Sequence, residues 1–264
     1  MMEMVKLPDG VSLCTKVDGA VGEPWIILSN SLGASLAMWD GQVDLLTRKY
    51  RVLRYDQRGH GQSDAPTDPY TFDLLVGDVI ALMDHYGIPK ADFMGLSMGG
   101  MTGMGLALSH EDRFGKVVVA DARSVATDAY KSMWDQRIAA IKSGGVDSIA
   151  DASLGLWFTD SFRAENPDET AASRAMIAAT DPKGYIASCN ALSELDYLKD
   201  LGAISLPVLY LCGANDKGAA PAEMQEMALA TPDGRYVELA DAGHVSNINQ
   251  PKAFNDVIAD FLEI

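Results

Sequence analysis

Short apolar runs alternate with helically spaced apolar positions through the first half of this chain. Residues 11–17 alternate apolar and polar side chains, the period-two pattern of a half-exposed edge strand. Residues 25–29 (Trp-Ile-Ile-Leu-Ser) form an apolar run that enters the loop Asn30-Ser31-Leu32-Gly33-Ala34, and residues 51–56 form another, followed by glycine-rich Gln57-Arg58-Gly59-His60-Gly61. Residues 74–86 place apolar side chains at helical spacing and stop at Gly87. A strand over 91–94, a helix of small apolar residues over 98–109 and a strand over 116–121 come next. Strands that alternate with helices in this way predict a parallel sheet covered on both faces.

The alternation breaks near Arg123. From 123 to 201 the pattern is helical and strand-poor, and it carries Met133, Trp134, Trp157, Phe158, Phe162 and Met176. Strands resume at 207–212 and 235–239, and a helix over 251–261 closes the chain. The predicted fold is therefore α/β: a mostly parallel, doubly wound sheet built from 1–122 and 202–264, with 123–201 inserted as a helical lid over the carboxyl edge of the strands.

One turn carries a chemical signature. Gly95-Leu96-Ser97-Met98-Gly99 is a Gly-x-Ser-x-Gly pentapeptide between a predicted strand and a predicted helix, the context in which a tight turn presents a serine for nucleophilic attack. Such a serine needs a base. Of the four histidines, His60 sits in a glycine-rich turn, His85 on the 74–86 helix and His110 at a helix end. His244 alone is far downstream of Ser97 and directly follows the last strand. The third member, an acid that orients the imidazole, has Asp216 as first candidate because it ends the 207–212 strand and lies between Ser97 and His244 in chain order. Asp121, at the end of the preceding sheet strand, is a rival, and Asp241 is too near His244 in sequence to reach round its ring. The oxyanion of a tetrahedral intermediate needs two preset backbone N–H groups; the best placed are those of Met98, at a helix N-terminus, and Leu32.

Composition narrows the partners. A formal charge of −16 disfavours nucleic acid and anionic membrane surfaces. Cys14, Cys189 and Cys212 are an odd count without metal-like spacing, so neither a disulfide framework nor a metal site is expected. No stretch has the length of a bilayer span and the first residues lack a signal core, so the expectation is a soluble cytoplasmic enzyme that needs no cofactor. Lid helices of this kind either close a pocket or pair subunits, which leaves a homodimer open.

Further motifs place the chain in a family. Ser29-Asn30-Ser31-Leu32-Gly33 with Met38-Trp39-Asp40, the run Tyr55 to Asp64, the Ser97 elbow, Trp157-Phe158-Thr159 with Phe162-Arg163, Gly184-Tyr185, and Gly243-His244-Val245-Ser246-Asn247 with Gln250-Pro251 span nearly the whole sequence. Together they resemble the α/β-hydrolase-fold serine hydrolases, and within them the 3-oxoadipate enol-lactonases. The resemblance implies Ser97, Asp216 and His244 as the triad, Leu32 and Met98 as oxyanion donors, and hydrolysis of a small lactone or ester through an acyl-enzyme. Carbon–carbon bond hydrolysis or perhydrolysis on the same triad, and ligand binding with negligible turnover, are the alternatives.

A carboxylated lactone would call for a cation in the pocket. Residues 191–194 (Ala-Leu-Ser-Glu) offer none where the family's basic residue is expected, which leaves Arg123, Lys131, Arg137 and Arg163 as candidates. The loop after Asp216, Lys217-Gly218-Ala219-Ala220-Pro221, also departs from the family form. Trp134, Trp157, Phe158 and Arg163, with Met98 and Met133, are the expected pocket lining; the aromatic residues could equally pack the lid onto the sheet.

Overall fold

The computed structural model describes residues 2–264. Its strands are β1 (Met2–Lys6), β2 (Ser12–Asp18), β3 (Trp25–Ser29), β4 (Arg51–Tyr55), β5 (Ala91–Leu96), β6 (Phe114–Ala120), β7 (Val208–Gly213) and β8 (Gly234–Leu239). They form a single eight-stranded sheet in the order β1-β2-β4-β3-β5-β6-β7-β8. The pairs β1/β2 and β2/β4 are antiparallel, and every pair from β4 through β8 is parallel. The strand expected over 11–17 is not an edge: β2 pairs on both sides, and the edge belongs to β1. Alternation of apolar and polar residues reports burial of one face, and that is independent of whether a strand's hydrogen-bonding edge is free.

The helices are α1 (Asp40–Leu46), α2 (Phe72–His85), α3 (Met98–Ser109), α4 (Asp128–Gly144), α5 (Asp147–Trp157), α6 (Asp160–Glu165), α7 (Pro167–Ala178), α8 (Pro182–Ser193), α9 (Pro221–Ala230), α10 (Ser246–Asn249) and α11 (Pro251–Leu262). In α2, Leu75, Val76, Val79, Leu82 and Met83 recur at three- and four-residue spacing and are buried, so one stripe packs on the sheet. Helix α3 differs: residues 98–107 are all buried. Its glycines and alanine let it lie close against β5 and β6 beneath other elements, which explains its lack of a polar face.

Helices α4–α8 lie between β6 and β7. The chain leaves and re-enters the sheet through one narrow neck, where Val125 bridges Asp196, Ala126 N–H donates to Leu195 O (2.8 Å) and Tyr197 N–H donates to Ser124 O (2.7 Å). Thr127, Thr159 and Asp181 begin α4, α6 and α8, each accepting a backbone N–H of the first turn with its side chain. Cys14, Cys189 and Cys212 are free and buried. No helix among the described residues is long and apolar enough to cross a membrane.

Candidate active site

The crevice at the carboxyl ends of β3, β5, β7 and β8 gathers the candidate residues, as expected for an open α/β sheet. Ser97 connects β5 to α3 with φ 54° and ψ −116°, a backbone region that side-chain-bearing residues rarely adopt. Ser97 N–H donates to Ala120 O (2.8 Å) and Gly99 N–H to Asn30 O (3.0 Å), which pins the turn on both sides. A Cβ at Gly95 would fall 2.1 Å from Gly99 O, and one at Gly99 would fall 2.2 Å from Ser29 O. The flanking glycines are therefore required by close backbone approach. Although Ser97 is the N-cap of α3, its hydroxyl makes no capping bond; it points instead to the imidazole.

Ser97 Oγ lies 2.9 Å from His244 Nε2. His244 Nδ1 lies 2.8 Å from Asp216 Oδ2 and 3.0 Å from Oδ1. The Asp216 side chain is fully buried, and its Oδ1 also accepts the N–H groups of Gly218 (2.6 Å) and Ala219 (3.0 Å). Those donors hold the carboxylate while its charge faces the ring. A Cβ on Gly218 would sit 2.9 Å from His244 Nδ1, so the departing loop form seen in the sequence packs its backbone against the imidazole. Burial pulls the His244 pKa down, but the charge and hydrogen bond of Asp216, helped by Asp121, outweigh it and leave the pKa above the ordinary 6.5.

Asp121 does not touch the imidazole. Its Oδ1 accepts Gly213 N–H (2.9 Å), and its Oδ2 accepts both the N–H (3.1 Å) and the hydroxyl (2.6 Å) of Ser246. Burial, followed by the nearby Asp216 charge, pushes its pKa up to about 8. Asp241 is exposed. The other histidines have separate places. His60 Nδ1 sits 3.1 Å from Arg58 O within its own turn, and burial lowers its pKa to about 4. His85 is exposed near Glu3, and the His110 ring meets Ser109 Oγ at 2.8 Å.

The N–H groups of Leu32 and Met98 donate to no other group among the described residues. Leu32 lies in the wall of a cavity of about 90 Å³ that also contains Ser97 and His244. That volume is small beside the roughly 300–1,000 Å³ of clefts that take drug-sized ligands. Trp134, Trp157 and Met133 line it, as do Ser31, Tyr130, Tyr185 and Leu192. Phe158 and Arg163 lie outside its wall: Phe158 stacks on Phe162, and Arg163 pairs with Asp160 in the first turn of α6. Met98 is fully buried beneath the turn.

Two of the candidate cations, Arg123 and Arg137, reach this cavity, and Lys217 joins them; Lys131 does not. Arg123 is paired with Glu223. Arg137 donates to the Tyr185 hydroxyl (3.0 Å) and lies over the Trp134 ring, and no carboxylate among the described residues pairs with it. The Trp134 indole N–H is also buried without a hydrogen-bond acceptor among the described residues. The sequence marks Gly218 and Ala219 only as part of a loop that departs from the family form, and does not mark Asn249, because their contributions are backbone donors or contacts between distant segments. Tyr185 was visible only as part of the Gly184-Tyr185 landmark. A larger groove of about 950 Å³ runs between α6/α7 and α1/α10, but its walls contain neither Ser97 nor His244 and, among the described residues, no basic side chain.

A family model described as the α/β hydrolase fold matches residues 24–251. The chain belongs to the α/β-hydrolase-fold family. Within that family it is 38% identical to 3-oxoadipate enol-lactonase 2 of Acinetobacter baylyi over 240 residues, covering 91% of this chain and 89% of the relative. It is 33% identical to 3-oxoadipate enol-lactonase 1 of the same organism, covering 98% and 96%. Among solved structures, the enol-lactonase of Burkholderia xenovorans LB400 superposes with a TM-score of 0.96 at 40% identity, over 99% of this chain and all of the other. Asp216, after β7, faces the imidazole, whereas Asp121, directly after β6, is held in a separate network.

Proposed function

We propose that the protein hydrolyses a small lactone that carries a carboxylate, with Ser97 as nucleophile, His244 as general base and acid, and Asp216 as the group that fixes and charges the imidazole. The observation that carries the reading is the continuous hydrogen-bonded line from Asp216 through His244 to Ser97, at 2.8 and 2.9 Å, opening into a compact cavity with an unpaired guanidinium. The enol-lactonase relatives support the same reaction class.

In this reading Ser97 Oγ attacks the lactone carbonyl and its proton passes to His244 Nε2. The carbonyl oxygen becomes an oxyanion held by the N–H groups of Leu32 and Met98, the latter at the positive end of α3. Collapse breaks the ring C–O bond, and the departing oxygen takes the proton from Nε2. The leaving group stays tethered to the acyl chain, so one compact pocket serves both fragments. A water molecule then attacks the ester, gives its proton to Nε2, and the proton returns to Ser97 as the acid is released. Arg137, which lines the cavity and pairs with no carboxylate among the described residues, is the site for the substrate carboxylate. Arg123 is less suited because Glu223 already neutralises it.

The test is a panel of a carboxylated enol-lactone, neutral γ- and δ-lactones and 4-nitrophenyl acetate, each with a Ser97→Ala control. The expected result is highest kcat/KM on the carboxylated lactone, with loss of at least about three orders of magnitude in the control. Equal rates for enzyme and control across the panel would overturn the proposal.

A further inference from the structure

We infer that Asn249 is a positioning residue that locks the pocket wall at Leu156–Trp157 to the loop carrying His244. The inference rests on the triad reading above. Asn249 ends α10, is almost fully buried, and its side chain forms no hydrogen bond with Ser97 or the imidazole. An asparagine side chain can make four hydrogen bonds, two as donor and two as acceptor. Here all four are made, and they divide evenly between two segments far apart in the chain. Toward the base loop, Nδ2 donates to Val245 O (2.8 Å) and Oδ1 accepts Gly243 N–H (3.1 Å). Toward the pocket wall, Nδ2 donates to Trp157 O (3.0 Å) and Oδ1 accepts Thr159 N–H (3.4 Å).

The two segments also bond directly. His244 N–H donates to Leu156 O (3.3 Å) and Val245 N–H donates to Trp157 O (3.1 Å). A Cβ on Gly243 would lie 2.7 Å from Trp157 O, so the backbones are in contact where the base loop begins. Leu156 and Trp157 line the cavity, and His244 lies between the residues that Asn249 grips. A shift of the wall therefore carries the imidazole with it. The donor and acceptor ends of Asn249 are not interchangeable: turning the amide would set its N–H groups against those of Gly243 and Thr159.

A purely structural asparagine would contribute stability and nothing else, so the test must read chemistry per active site. Wild type, Asn249→Ala, Asn249→Asp, Ile149→Ala and Ser97→Ala are titrated with a small nitrophenyl phosphonate. The kcat and KM for 4-nitrophenyl acetate are then measured per titrated site, together with Tm. Ile149 is buried near the start of α5, about two turns before Leu156, and makes none of the hydrogen bonds of the link, so its variant loosens the insertion while leaving those bonds in place. In Asn249→Ala, kcat per site is expected to fall about 10- to 100-fold, the scale of an ångström-sized misplacement, with KM nearly unchanged. Asn249→Asp keeps the acceptor half but sets a carboxylate oxygen against Trp157 O and Val245 O, so its kcat per site should fall at least as far; a poorly folding variant is still read, because rates are taken per titrated site. Ile149→Ala should keep wild-type kcat at a lowered Tm. Wild-type kcat per site in both Asn249 variants, with Ser97→Ala unlabelled, would overturn this inference alone. Labelling of Ser97→Ala at the wild-type rate would overturn the nucleophile assignment and the inference with it.

Discussion

Asp121 and Ser246 form a closed pair beside the His244 loop: one carboxylate oxygen receives both the N–H and the hydroxyl of the serine, at 3.1 and 2.6 Å. Because the other oxygen receives Gly213 N–H, Asp121 joins the ends of β6 and β7 to the loop that begins α10. The two aspartates near His244 therefore have separable tasks, one facing the ring and one holding its loop.

Asp216→Asn should lower kcat by about four orders of magnitude, because the amide leaves the imidazole in the wrong tautomer. Asp121→Asn should cost mainly stability, about 1–3 kcal/mol above pH 8, where the wild-type carboxylate accepts all three donors and the amide N–H opposes one of them. Steady-state kinetics and thermal melts on the two variants separate the roles; an equal kcat loss would merge them.

Asp121 also predicts how stability varies with pH. Its pKa is near 8 when folded and about 3.9 when unfolded, so the folded chain holds the proton more tightly. The stabilisation is fully present below about pH 4 and is lost as pH rises toward 8. Denaturant melts of Asp121→Asn should show a flatter stability profile between pH 5 and 8 than wild type. A parallel profile would contradict the assignment.

The base predicts the acid limb of the rate profile. His244 must be neutral to accept the Ser97 proton, and Asp216 holds its pKa above 6.5. The kcat/KM for a neutral ester should therefore rise with pH through a midpoint above 6.5. A midpoint at or below that value would mean burial dominates over the carboxylate.

Backbone strain at Ser97 can be measured separately from its chemistry. Both Ser97→Ala and Ser97→Gly remove the nucleophile, but only glycine adopts φ 54° and ψ −116° without steric cost. The glycine variant should be more stable than the alanine variant by about 1 kcal/mol. Equal Tm values would show that the turn stores no strain.

Arg137→Gln tests charge recognition. It should raise KM for a carboxylated lactone by roughly 10- to 100-fold, the worth of a charge-assisted hydrogen bond, while leaving 4-nitrophenyl acetate nearly unaffected. A similar loss on both substrates would assign Arg137 to the pocket's architecture instead.

The sheet was legible because apolar runs and Gly-x-Ser-x-Gly depend on local sequence, and β3 through β8 follow them. β1 was not, since Met2 and Met4 on an exposed edge strand lack the burial pattern that marks strands in sequence. At the site, Ser97 and His244 are fixed by chain order and neighbouring strands. The choice between Asp121 and Asp216 turns on which carboxylate faces the ring, a matter of tertiary placement. The same holds for the cations: Arg123, Arg137 and Arg163 read alike in sequence, but Glu223 and Asp160 occupy two of them.

The narrow neck at Val125 and Asp196 makes the insertion look like an exchangeable cassette, joined to the sheet at one point and free to diverge. The link through Asn249 removes that freedom. A segment 123–201 transplanted from a relative would bring only half of the contact, the carbonyls of residues 156 and 157 and the N–H of residue 159, and would meet a base loop shaped for another partner. Substrate preference and proton transfer are thus inherited together, and a chimaera that changes the first must carry residues 243–249 along with the cassette.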